Sequence, residues 1–79
     1  MTMTVAEAKT ICASVGLTLK WTAWDEWRVA PNRTWTMTDT KREECAYYTT
    51  DLDDAVETAR VMSIDLAAAG YSRVGGNDG

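Results

Sequence analysis

Histidine and phenylalanine are absent from these 79 residues, proline occurs once and cysteine twice. Without histidine the chain lacks the one side chain whose ordinary titration falls near neutrality, and with it the usual general base, proton shuttle and metal ligand. Cys12 and Cys45 form neither a CxxC motif nor any zinc spacing. Cys12 falls on the apolar face of a helix and Cys45 follows Glu43-Glu44, so neither stands where a nucleophilic thiolate is made. No apolar run approaches the ~18 residues of a membrane span, and no charged start leads into a secretory h-region. There is no glycine-rich phosphate loop; Gly75-Gly76 falls in the C-terminal tail. These absences predict a reduced, cytoplasmic protein with no membrane segment, no cofactor, no metal and no enzymatic activity. In that setting both cysteines are small buried hydrophobes, and the sequon Asn32-Arg33-Thr34 is a chance match.

What remains suffices for one domain. A chain this short buries only about 60% of its unfolded surface, so each large apolar residue counts. The hydrophobic share of 46% is too high for a disordered chain. Four tryptophans and three tyrosines supply the aromatic bulk. Twelve acidic against eight basic residues, a net charge of −4, argue against a domain that neutralises phosphates itself and suit a basic partner.

Thr4-Val5-Ala6-Glu7 reads as a capping box. Val5, Ala8, Ile11, Cys12 and Val15 follow at helical spacing, and Gly16 stands where a left-handed C-cap is wanted, predicting a helix over 5–15. The pattern then alternates: Leu17, Leu19 and Trp21 face one way, Thr18, Lys20 and Thr22 the other. Asp25-Glu26 is a hairpin corner before Trp27-Arg28-Val29, and Pro31 belongs at an edge, bulge or strand end. Thr34 to Thr38 alternates again, with Trp35 and Met37 on one face, so residues 27–38 are one bulged strand or two short ones. Asp39-Thr40-Lys41-Arg42 reads as a polar turn, and Glu44 to Thr49 as a further strand with Cys45 and Tyr47 inward. Leu52, Ala55, Val56, Ala59, Met62, Ser63 and Leu66 line one stripe of a helix that Thr50 or Asp51 caps and Gly70 stops.

The predicted class is α+β: an N-terminal helix, a three-stranded antiparallel sheet (four-stranded if 27–38 divides), and a C-terminal helix. Both helices pack on one sheet face, because each apolar stripe needs a partner. Residues 1–72 form the domain and 73–79 a flexible tail.

Asp51, Asp53, Asp54 and Glu57 crowd the start of the last helix. In its first turn the free amides and macrodipole favour negative charge by about 0.3–1 kcal/mol per group. Glu57 lies a turn beyond that benefit, on the face opposite the core with Asp53 and Asp54. Like charges at that spacing repel, and Arg60 relieves the strain at i+3. Helix capping with solubility is one reading of these acids; a patch that meets a basic partner is the other. A calcium loop lacks its turn glycine and its twelfth-position glutamate. Trp21, Trp27 and Trp35 read as core. Trp24 breaks the strand parity and, beside Asp25 and Glu26, is the expected exposed anchor for a partner. A stacking platform for nucleic acid would need a basic groove, and only Lys20, Arg28 and Arg33 are near.

The element order is similar to that of double-stranded RNA-binding domains. Their second helix opens on lysines, whereas this one opens Asp51-Leu52-Asp53-Asp54, with the charge reversed where the activity would live. Thr4-Val5-Ala6-Glu7-Ala8, Gly16-Leu17-Thr18-Leu19, Glu26-Trp27-Arg28-Val29 and the junction Ala46-Tyr47-Tyr48-Thr49…Asp51-Leu52-Asp53-Asp54-Ala55 together resemble small phage and prophage proteins of the anti-CRISPR group, over residues 4–66. That resemblance implies a short acidic inhibitor that binds a bacterial CRISPR-Cas surveillance complex or nuclease and occupies its DNA-binding channel. Asp51, Asp53, Asp54, Glu57, Asp25, Glu26 and Trp24 are the partner-binding residues it would use, without direct contact to nucleic acid. The alternative is a phage or bacterial accessory protein with a structural or regulatory protein contact.

Overall fold

A computed structural model of the chain describes residues 3–73. The capping box forms as its residue types require. Glu7 N–H donates to Thr4 Oγ1 at 3.1 Å, and Thr4 N–H donates to Glu7 Oε1 at 2.9 Å. The backbone and side-chain bonds from Thr4 hold the Glu7 carboxyl below its ordinary range. Helix α1 runs Val5–Ser14 and buries Ala8 and Cys12. Gly16, at φ +85°, turns the chain into strand β1, Leu17–Trp21. The loop 22–26 is closed by Thr22 N–H donating to the Glu26 carbonyl at 2.8 Å, with Asp25 at φ +59°. Strand β2, Trp27–Pro31, ends on the proline, where a missing N–H is tolerated.

Beyond Pro31 the structure departs from the sequence reading. Residues 34–38 form no strand; Trp35 makes one antiparallel bridge to Arg73 and is otherwise an inward anchor in a loop. The polar turn expected over 39–42 is the start of a short helix, α2, Asp39–Glu44. Its causes are local. Thr38 caps it by accepting from Lys41 N–H at 3.1 Å, and Asp39 pairs with Arg42 at 2.7 Å. Arg42 then ties the helix to the preceding loop by donating to the carbonyls of Asn32 and Trp35. The last strand, β3, shrinks to Tyr47–Thr49, since Glu44 ends α2 and Cys45 caps it. Cys45 is half-buried and lies outside the strand; Tyr47 pairs with Val29 and so faces the helices as expected, but at the sheet edge it is still 39% exposed.

Helix α3, Leu52–Ala68, is capped by Asp51, which accepts from Asp53 N–H at 3.0 Å. The expected stripe holds: Ala55, Val56, Ala59 and Leu66 are buried, with Leu52, Met62 and Ser63 half-buried beside them. Arg73, expected in the tail, is bonded into the domain. Its Nε donates to Thr34 Oγ1 at 3.1 Å and its Nη1 to the Ser14 carbonyl at 3.2 Å, with the guanidinium over the Trp35 ring. The rest of the expected tail, 74–79, lies outside the described residues.

The sheet order is β1-β2-β3, all antiparallel. The α1 backbone lies close to β1 but not to β2, α3 approaches all three strands, and the helices pack against each other. Both cover one face, where Leu17, Leu19 and Val29 meet Ala8, Cys12, Ala55, Val56 and Ala59. Trp21 follows the same parity, yet it is 49% exposed. It stands at the end of the sheet, where the helices' cover runs out, and packs edge-on against Trp27 with ring centroids 4.8 Å apart. The deeply buried tryptophan is Trp35, at 3%.

Candidate functional site

Strand register decides which acids come together. Trp27 pairs with Trp21 on one side and with Thr49 on the other. The β1–β2 loop and the β3–α3 junction therefore leave the sheet at the same end. That hairpin end carries Trp24, Asp25 and Glu26 from the loop and Asp51, Asp53 and Asp54 from the start of α3. It also receives the start of α1. The ten residues of α1 rise ~15 Å and turn back at Gly16 along the five of β1, ~17 Å. Glu7 is thus an acid of this end that sequence spacing did not reveal. Glu57 lies one turn further along α3.

Both helices point their N-termini at this end, so their macrodipoles add there, and the acids complement them. That accounts for Asp51, which caps α3, and for part of Asp53. It does not account for Asp25, Glu26 or Glu57. Among the described residues, the ion pairs within 4.0 Å use Asp39, Glu43 and Glu44, all on α2. The carboxylates of the hairpin end have no such partner, and the expected relief of Glu57 by Arg60 is not among these pairs. Long side chains at i+3 are held in an ion pair only when other contacts fix them, and Arg60 is exposed.

Besides the capping acids Glu7 and Asp51, one more acid of the group is engaged. The Tyr47 hydroxyl donates to Asp54 Oδ2 at 2.7 Å, which turns Asp54 toward β3 while Asp53 and Glu57 remain exposed. That bond is the first cause of a raised Tyr47 pKa, with desolvation second. The pairing joins a strand to a helix across the junction, and no local pattern announces it. Trp24, as expected, is the most solvated large apolar residue at 82%. Trp21 on β1 and Tyr47 and Tyr48 on β3 are also exposed. A separate exposed pair, Val61 and Ile64, lies farther along α3.

The positive groups gather elsewhere. Arg28, Arg33 and Arg42 line an open groove of about 900 Å³ between the uncovered sheet face and α2, with Asp39 and Glu43. Glu43 engages Arg28 at 2.8 Å and Asp39 engages Arg42, so two of the three guanidiniums there are already neutralised. Burial pushes the Cys12 thiol up, opposed by Arg60, and the thiol has no exposed surface. Among the described residues no cluster of His, Cys, Asp and Glu could hold a metal ion, and no helix is long and apolar enough to cross a membrane. No protein family, curated protein or solved structure matches the chain.

Proposed function

We propose that the chain is a protein-binding inhibitor that presents its hairpin end to a basic surface. Following the resemblance of its motifs to the anti-CRISPR group, we assign that surface to the DNA-binding channel of a bacterial CRISPR-Cas effector in the cytoplasm. One observation carries the reading: carboxylates from two separate segments, 25–26 and 51–57, leave the sheet toward one end that also bears the exposed Trp24, and among the described residues none of them has an ion-pair partner. A capping role needs Asp51 and Asp53 but neither Asp25 nor Glu57. Acids that only aid solubility have no cause to adjoin a solvated indole, as Asp25 and Glu26 do. A solvated tryptophan flanked by charge, free to be desolvated by a partner, is the composition of an interface anchor.

The test is DNA loading by CRISPR-Cas effectors of several types, with wild type, Asp53→Lys/Glu57→Lys and Trp24→Ala, each first confirmed as folded. Both variants alter exposed side chains, so stability should move by no more than about 1 kcal/mol. Wild type should block loading by at least one effector. The charge variant should associate more slowly, most visibly at low salt. Trp24→Ala should dissociate faster. Loading undisturbed by wild type in every type would remove the CRISPR assignment. Equal inhibition by wild type and the charge variant would remove the acidic end from the mechanism.

A further inference from the structure

Strand β1 is an edge of the sheet, with β2 on its inner side. Asn32 N–H donates to the Gly16 carbonyl at 2.9 Å and Thr22 N–H to the Glu26 carbonyl at 2.8 Å. These bonds bracket β1 and set its parity. Gly16, Thr18, Lys20 and Thr22 direct their backbone groups toward β2; Leu17, Leu19 and Trp21 direct theirs outward. Among the described residues, no further backbone bond reaches those three.

Natural edges are blunted by brevity, proline, bulges or charged side chains, lysine above all. The opposite edge, β3, is three residues long. β1 has five, pairs in unbroken register from Leu17 to Trp21, and contains no proline. Its one charge, Lys20, projects from the uncovered face.

Geometry also limits what can occupy this edge. The α1 backbone lies close to β1 but not to β2, so it covers the margin of the sheet. A second copy pairing through β1 would place its own α1 one strand spacing away, about 4.8 Å, whereas packed helices need about 8–10 Å. A bare extended segment meets no such obstacle. Its residues sharing a face with Leu19 would lie against the outer flank of α1. There Ala6, Thr10 and Ile11, with Glu7, line a shallow depression of about 370 Å³. Ile11, about 100° round the helix from the fully buried Cys12, packs at the border of the core, and Ala6, Glu7 and Thr10 beyond it are exposed. Glu7 lines the depression, and Asp25 and Glu26 lie in the loop that follows β1 at the hairpin end.

The geometry points to β1 as a strand-addition site for an extended segment of a partner protein, with small apolar residues at alternate positions and Lys or Arg at the end beside Glu7. Backbone bonds to Leu17, Leu19 and Trp21 would give the binding, the α1 flank the side-chain preference, and the acids the direction. The inference stands whether or not that partner is a CRISPR-Cas effector.

The probe is a displayed library of linear peptides, selected on the whole protein and followed by amide exchange with the best selected peptide bound. Selected sequences should alternate apolar and polar residues and end in Lys or Arg. The amides of Leu17, Leu19 and Trp21 should gain protection, while Thr18 and Lys20, already directed at β2, should not. Thr10→Arg, at an exposed position, should weaken the peptide by about tenfold or more, and Val61→Arg on α3 should leave it unchanged. A library without binders, protection centred away from β1, or equal affinity for Thr10→Arg would each overturn the assignment.

Discussion

The Trp35 indole occupies the space that a side chain on Gly16 would need. A Cβ on Gly16 would lie 2.5 Å from Trp35 Nε1 and 2.9 Å from Arg73 Nε. Gly16 thus answers two demands at once, a left-handed turn at φ +85° and the absence of any side chain. Gly70 answers only the first, since at φ +98° nothing lies within 4 Å of its missing Cβ. Gly16→Ala should cost about 2–5 kcal/mol, backbone strain plus overpacking. Gly70→Ala should cost only the backbone share, about 1–2 kcal/mol. Asparagine, which tolerates the left-handed region, should not rescue position 16. Urea denaturation of the three variants checks this, and equal costs at 16 and 70 would show that Trp35 yields.

The tryptophans should divide by depth. Trp35→Ala removes a fully enclosed indole and should cost ~3–5 kcal/mol, enough to unfold much of so small a domain. Trp21→Ala removes one already half in water, and about 1–2.5 kcal/mol is expected from the remaining buried area. Thermal melts order the two, and a larger loss at Trp21 would contradict the packing described.

Tyr47 should report the hairpin end through pH. Its bond to Asp54 favours the neutral phenol, so its folded pKa lies above the ordinary value. That contribution to stability is present below the unfolded pKa of about 10 and is lost as pH rises through the folded pKa. Asp54→Asn keeps an acceptor and removes the charge, so Tyr47 should ionise at lower pH than in wild type. Ultraviolet titration of the phenolate measures the difference. Identical curves would mean that the bond does not persist in solution.

The protein alone should form no submicromolar complex with duplex DNA or RNA at physiological salt, because its acidic end repels phosphate and two of the three groove arginines are already paired. Electrophoretic mobility shift is the assay. A complex that weakens steeply with salt would give the arginine groove precedence over the acidic end.

Much of this architecture is legible in the sequence because its signals are local. The capping box at Thr4, the change of period at Gly16 and the stripe from Leu52 to Leu66 each lie within one element. The failures cluster in 34–46, where a single inward tryptophan imitated strand alternation and a Thr38 cap was read as a turn. Both depend on Arg42 reaching Asn32 and Trp35, contacts that spacing does not display. Trp21 shows a different limit. Its parity is right, but how far a helix covers a strand depends on where the sheet ends. The site was half legible: its acids are obvious in two runs, while their meeting at one end follows only from the Trp21–Trp27–Thr49 register.

The edge-to-face pair of Trp21 and Trp27, with ring planes at 69°, also has an optical consequence. Two strong ultraviolet transitions coupled in a fixed chiral arrangement produce an exciton couplet, and it overlaps the region from which helix and strand content are read by circular dichroism. A ligand that reorients Trp21 would change that spectrum without melting a turn of helix. Fluorescence divides the labour differently. Trp35 emits from the interior and Trp24 from water, so one reports unfolding and the other reports the arrival of a partner.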